Sequence, residues 1–318
     1  MKTAIMQFVT PRPFEDPDLT AEGKTRAKVE WRRLSTLWLN TGTLCNIACQ
    51  NCYIESSPRN DRLVYLSIDD VVPILDEMDA LQGEPKEVGI TGGEPFMCPD
   101  ILKIMTSVLE RGHRLLVLTN AMQPMMRRRI QDGLLELRST FGDRMTLRVS
   151  MDHHSADLHD AERGQGAFSQ ALRGLTWLAE NSFKTAIAGR HVLTEDEDSA
   201  RASYGQLISL IGLDIDHGNP GQLVLFPEMT SDKTPPEITT ECWSILNVDP
   251  ADMMCASQRM LVRRKKDERA VLMPCTLLAY DDRFVMGNTL KEATETAVSL
   301  NHRWCAEFCV LGGGNCSA

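Results

Sequence analysis

Three cysteines fall within eight residues, in the run Cys45-Asn-Ile-Ala-Cys49-Gln-Asn-Cys52. A loop of that length can wrap three thiolates around one small centre, and soft sulfur ligands select zinc, copper(I) or iron–sulfur clusters over hard cations. Three thiolates also leave a four-iron cluster with one iron not held by cysteine, an open position of the kind catalytic metal sites keep. Taken alone, the spacing also fits, as the lesser alternative, a structural zinc knot completed by a distant cysteine or histidine, or three unligated core cysteines. A second set, Cys255, Cys275, Cys305, Cys309 and Cys316, lies toward the end of the sequence, while Cys98 and Cys242 stand apart and read as ordinary buried thiols. Grouped cysteines without a signal-peptide pattern point to metal ligation over disulfides.

These residues need a frame. From residue 34 onward, apolar runs of strand length alternate with helical periodicity, the pattern of repeated βα units and a parallel sheet. Strands are expected at 36–40, 87–91, 114–119, 145–150, 184–188 and 222–226. Between them, Ser67 and Asp70 form a capping-box pattern, and Ile101, Leu102, Met105, Val108 and Leu109 make one apolar helical stripe.

The polar residues of interest fall at strand ends. The cysteine loop follows the first strand, at the end where barrels of βα units place their chemistry. Gly92-Gly93-Glu94-Pro95 ends the second, where two glycines permit close backbone approach to a ligand and a carboxylate stands beside them. Asn120 follows the third strand, and Ser150 and Asp152 end the fourth with groups that suit a sugar; ordinary capping is the plainer alternative. Arg190 closes the fifth, as a bidentate partner for a carboxylate or as a surface salt bridge. His153, His154 and His159 have no convincing ligand spacing and read as polar loop residues.

Three segments are expected: an N-terminal arm over 1–33, a barrel over 34–230 and a cysteine-rich segment over 231–318. The net charge of −10 argues against binding a phosphate backbone, so no nucleic-acid partner is expected. The basic runs at 127–129 and 263–266 read as solvated surface. No apolar run reaches membrane-spanning length, and a cytoplasmic location is expected.

Together these residues resemble the radical S-adenosylmethionine (SAM) superfamily, whose signature is a CxxxCxxC loop after the first strand of a partial (β/α)6 barrel. The resemblance covers about residues 34–226 and implies an α/β fold: a partial (β/α)6 TIM-like barrel with a small C-terminal cysteine-rich iron–sulfur domain. One departure is Asn51, which precedes the third cysteine where the family commonly has an aromatic; Tyr53 follows it instead.

The resemblance further implies a 4Fe-4S cluster on Cys45, Cys49 and Cys52 whose open iron chelates SAM. Gly92, Gly93, Glu94 and Pro95 would lie at the methionine amino group, Asn120, Ser150 and Asp152 near the ribose, and Arg190 at the SAM carboxylate. Reductive cleavage would yield a 5′-deoxyadenosyl radical that abstracts hydrogen from a substrate. The later cysteines resemble SPASM and twitch extensions. Five thiols suffice for one auxiliary 4Fe-4S cluster with one thiol left over, and zinc is the alternative.

A reductase such as flavodoxin or ferredoxin is the implied electron donor. A short N-terminal arm favours a small metabolite as substrate over a peptide or protein side chain. A non-catalytic iron–sulfur electron carrier would explain the clustered cysteines but not the strand-end residues.

Overall fold

Strands buried on both faces read as continuous apolar runs, and the strand Thr36–Asn40 is buried at all five positions. The computed structural model describes residues 12–81, 86–191, 195–227 and 234–315. In chain order the strands are Lys28–Val29 (β1), Thr36–Asn40 (β2), Glu87–Thr91 (β3), Arg114–Thr119 (β4), Met145–Ser150 (β5), Thr185–His191 (β6), Leu223–Pro227 (β7), Gln258–Val262 (β8), Val271–Met273 (β9) and Val298–Ser299 (β10). Strands β2 to β7 are the six expected, displaced by a residue or a few at some ends.

The main sheet runs β7-β6-β5-β4-β3-β2-β8-β9, parallel throughout except for β9. Helices Ile68–Ala80 (α1), Ile101–Glu110 (α2), Arg128–Phe141 (α3), Ala156–Arg163 (α4), Ala167–Glu180 (α5) and Glu197–Ile211 (α6) fill the crossovers between β2 and β7. Ser67 caps α1 in the expected reciprocal box with Asp70. Among the described residues no helix is long and apolar enough to cross a membrane.

The two faces of the sheet have different covers. Leu37, Leu39, Val88, Ile90, Val117 and Leu147 pack beneath the crossover helices. Trp38, Leu116 and Met260 point the other way, into a second apolar cluster built largely from the segment after residue 237. Gly89 makes room there, since a Cβ on it would stand 2.4 Å from the Trp38 ring. The Trp38 indole in turn donates to Gln258 at 2.8 Å, tying β2 to β8.

The sheet therefore continues past the boundary expected near residue 230, because β8 pairs in parallel with β2. The described part of the N-terminal arm is fixed to this later segment: β1 pairs with β10, and buried Arg26 meets Glu237. The Glu237 carboxylate also accepts from the backbone of Phe14 and Ala21.

Candidate functional site

One cavity opens at the C-terminal ends of β2 to β7, and Cys45, Cys49 and Cys52 line it. The root of their loop is held by β3. Thr41 N–H donates to the Thr91 carbonyl at 2.8 Å, Gly93 N–H to Gly42 at 2.7 Å and Glu94 N–H to Leu44 at 3.2 Å. A Cβ on Gly93 would lie 2.2 Å from the Leu44 oxygen, and one on Gly92 2.7 Å from the Gly42 oxygen. The glycine pair lines the cavity, but its close approach is to the backbone of the cysteine loop.

Glu94, expected to present its carboxylate to a ligand, is turned into the protein. It is 1% exposed and accepts from Phe96 N–H, Asn120 N–H and the Thr119 hydroxyl. Burial pushes its carboxyl up to about 7 despite those donors. Pro95 is buried at the start of the following turn. Asn120 lines the cavity and donates to Asn46 at 2.9 Å, inside the cysteine loop.

The far side of the cysteine loop is held by the last turn of α4. The Glu162 carboxylate accepts both contacts of the Asn51 amide, at 3.0 and 2.9 Å, and its carbonyl accepts Gln50 N–H. Here Asn51, where the family commonly has an aromatic, anchors the loop. Arg190 reaches the same Glu162 at 2.7 Å. Beside them Arg163 clamps Asp152 bidentately, at 2.7 and 3.0 Å. Burial works to raise Asp152, but the Arg163 charge and hydrogen bonds, aided by Arg190, leave its carboxyl below the usual range.

Asp152, Glu162, Arg163 and Arg190 all line the cavity, as does Ser150. Of these, Glu162 and Arg163 were not singled out from sequence. Adjacent opposite charges at a helix end look like solvated surface.

The thiols are not gathered as they would be around a single ion. Thiolates on a single zinc sit about 3.8 Å apart. Among the described residues, no three cysteines bring their sulfurs within 4.8 Å of one another; the one group of potential ligands that close is His153, His154 and Glu195. Burial pushes the Cys45 thiol up to about 12 and Cys49 up to about 11, so binding a metal must supply the positive charge that ionises them. Ser56 N–H donates to Cys52 sulfur at 3.3 Å, a bond of the kind that tunes cluster potentials.

The histidine group does not fit a metal. His153 Nδ1 accepts Ser155 N–H at 2.9 Å, so in the neutral ring the proton sits on Nε2, the atom facing Glu195. His154 meets the same carboxylate at 3.0 Å. His153 and His154, two imidazoles sharing one carboxylate, fit the reading as polar loop residues, but His159 does not, because it lies fully buried within α4.

Of the later cysteines, Cys255, Cys275 and Cys305 are buried and Cys309 is half-buried, all within the second apolar cluster. Cys316 lies outside the described residues. Thr276 and Leu277, directly after Cys275, and Phe308, directly before Cys309, line the cavity opposite the cysteine loop. The cavity wall thus includes sequence neighbours of the second cysteine set, although Cys275 and Cys309 do not themselves line it. Cys98 is buried as expected, whereas Cys242 is half-buried and accepts from Thr239 N–H.

The sequence profile of the Radical SAM superfamily matches residues 39–202. The antilisterial bacteriocin subtilosin biosynthesis protein AlbA of Bacillus subtilis is 30% identical over 145 residues, 45% of this chain and 30% of that protein. The mycofactocin maturase MftC of Mycobacterium tuberculosis is 30% identical over 175 residues, 53% of this chain and 42% of that protein. The matched stretch thus spans less than half the length of these curated relatives. Among solved structures, anSMEcpe with bound AdoMet and Cp18Cys peptide superposes with a TM-score of 0.55 at 14% identity, covering 84% of this chain and 81% of that one. That likeness shows the shared α/β fold.

Proposed function

Because this chain belongs to the radical SAM superfamily, we propose that it is an enzyme that reductively cleaves SAM and removes hydrogen from a peptide side chain. The observation that carries the reading is the shared cavity, where three thiols meet Gly92, Gly93 and two opposed ion pairs at the ends of parallel strands. Cys45, Cys49 and Cys52 would hold a 4Fe-4S cluster. Bound there, it would supply the electron that SAM cleavage consumes.

The chain's own residues would bind and orient SAM. Its amino-acid end carries one ammonium and one carboxylate, and the cavity offers charges of both signs in Asp152–Arg163 and Glu162–Arg190. The Gly92 and Gly93 backbone would serve the ammonium, Arg190 the carboxylate, and Ser150 with Asp152 the ribose hydroxyls. Glu94 would act from behind, fixing Asn120 and the end of β4. Phe226, Leu277 and Phe308 form an apolar wall suited to excluding water around a substrate side chain.

Relatives named as a bacteriocin biosynthesis protein and as a maturase favour a peptide over the small metabolite expected from sequence. An auxiliary 4Fe-4S cluster on the C-terminal cysteines is the further reading, supported by their burial together behind the cavity wall. A flavodoxin- or ferredoxin-type reductase would deliver the electron.

The test is anaerobic reconstitution of the wild type and a Cys45→Ala/Cys49→Ala/Cys52→Ala variant, with iron, sulfide and 5′-deoxyadenosine measured in the presence of SAM and dithionite. About eight irons should fall to about four in the variant, with loss of 5′-deoxyadenosine. Tightly bound zinc and no SAM cleavage in the wild type would refute the assignment.

A further inference from the structure

Arg259 on β8 is fully buried, yet among the described residues no carboxylate pairs with it. Its hydrogen bonds go to three backbone carbonyls, those of Ala293 at 2.6 Å and of Cys255 and Gln258 at 2.7 Å. Its Nη2 has no hydrogen-bond partner, and its guanidinium lies over the Trp31 ring at 4.1 Å. The buried arginines Arg26 and Arg264 each face a carboxylate instead.

A permanently charged guanidinium in the interior is strongly unfavourable unless an anion answers it, since dipoles and one aromatic face only partly replace water. The ionisable groups within its electrostatic reach are the thiols of Cys255 and Cys275, and Cys305 lies within reach of Cys255. As protonated thiols these are neutral and leave Arg259 uncompensated. As ligands to iron they are thiolates, and a four-thiolate 4Fe-4S cluster carries net negative charge that grows by one on reduction.

We propose that Arg259 is the built-in counter-ion of an auxiliary cluster held by Cys255 and Cys275, and that its charge favours the reduced state of that cluster. The proposal rests on the reading of the C-terminal cysteines as an iron–sulfur site. It makes Arg259 a positioning and tuning residue that touches neither SAM nor substrate.

The experiment is a redox titration, followed by EPR, of the full chain carrying Cys45→Ala, Cys49→Ala and Cys52→Ala, so that the C-terminal site alone reports. Arg259→Gln keeps hydrogen-bonding capacity but removes the charge. It should make reduction at least tenfold harder, which is 59 mV more negative for one electron. Arg259→Lys should return most of that shift. If the glutamine variant loses its iron while the lysine variant retains it, the same charge requirement is read at assembly. An unchanged potential in Arg259→Gln, or equal shifts or equal iron loss in both variants, would overturn the counter-ion role. If the parent with Arg259 intact binds no iron, it is the cluster reading that fails.

Discussion

Replacing Arg163 with methionine strips Asp152 of its bidentate partner and leaves a largely buried carboxylate with Arg190 and His159 as its remaining favourable neighbours. Breaking a buried pair on one side destabilises by about 3–5 kcal/mol, and residual help from Arg190 places the expected loss near the lower end. The pH dependence gives the sign. In the wild type the folded Asp152 carboxyl titrates below its unfolded value of 3.8, so the pair's stabilisation is present above that value and is lost as pH falls through the folded one. In Arg163→Met, burial is largely unopposed, and the carboxyl must titrate above 3.8. The deficit relative to wild type should then be full near neutral pH and shrink as acid protonates Asp152. Adding Asp152→Asn removes the stranded charge and should recover most of the loss. Urea unfolding of the apo protein at pH 7 and pH 5, followed by circular dichroism, measures all three chains. A loss below about 1 kcal/mol at pH 7, or a double variant no more stable than the single, would show that Arg163 acts through packing alone.

Gly93→Ala should displace the root of the cysteine loop, because the added Cβ meets the Leu44 carbonyl at 2.2 Å. Reconstituted protein should then hold iron at the C-terminal site only, as iron analysis would show; full loading would mean that the loop root yields freely. Glu94 makes a separate pH prediction. Its folded carboxyl, raised to about 7 by burial, keeps a proton that the unfolded chain releases near 4.5. Apo stability should therefore decline as pH rises between those values, by at most about 3 kcal/mol, and level off beyond them. Urea unfolding from pH 5 to pH 8 should show that slope in the wild type and not in Glu94→Gln, and identical slopes would refute it.

What could be read from sequence was what obeys local periodicity. The strands β2 to β7 are apolar runs between helical stripes, and their order follows from repeated right-handed crossovers. The cysteine loop and the Gly92-Gly93 turn were legible because rare residue types stand at fixed spacing. β8 and β9 were not, since Gln258 and Arg259 interrupt the apolar run and a basic stretch follows. The polarity has a structural reason: Gln258 meets Trp38 across the sheet, and Arg259 donates to the Cys255 carbonyl. Glu162 and Arg163 escaped notice because their roles depend on partners at distant strand tips. The fate of Glu94 was equally hidden, as a carboxylate beside two glycines looks the same whether it turns toward a ligand or away from it.

The pairing of β2 with β8 also governs how the chain comes to be folded. Trp38 and Gln258 are 220 residues apart, so at ordinary translation rates β2 precedes its neighbour by roughly 10–40 s. Through that interval one edge of β2 has no strand to pair with, and its tryptophan has no final cover. Contacts this distant in sequence close late and slowly. A nascent chain stalled before β8 would expose a sticky apolar edge, which makes chaperone dependence and truncation-induced aggregation the expected liabilities of this architecture.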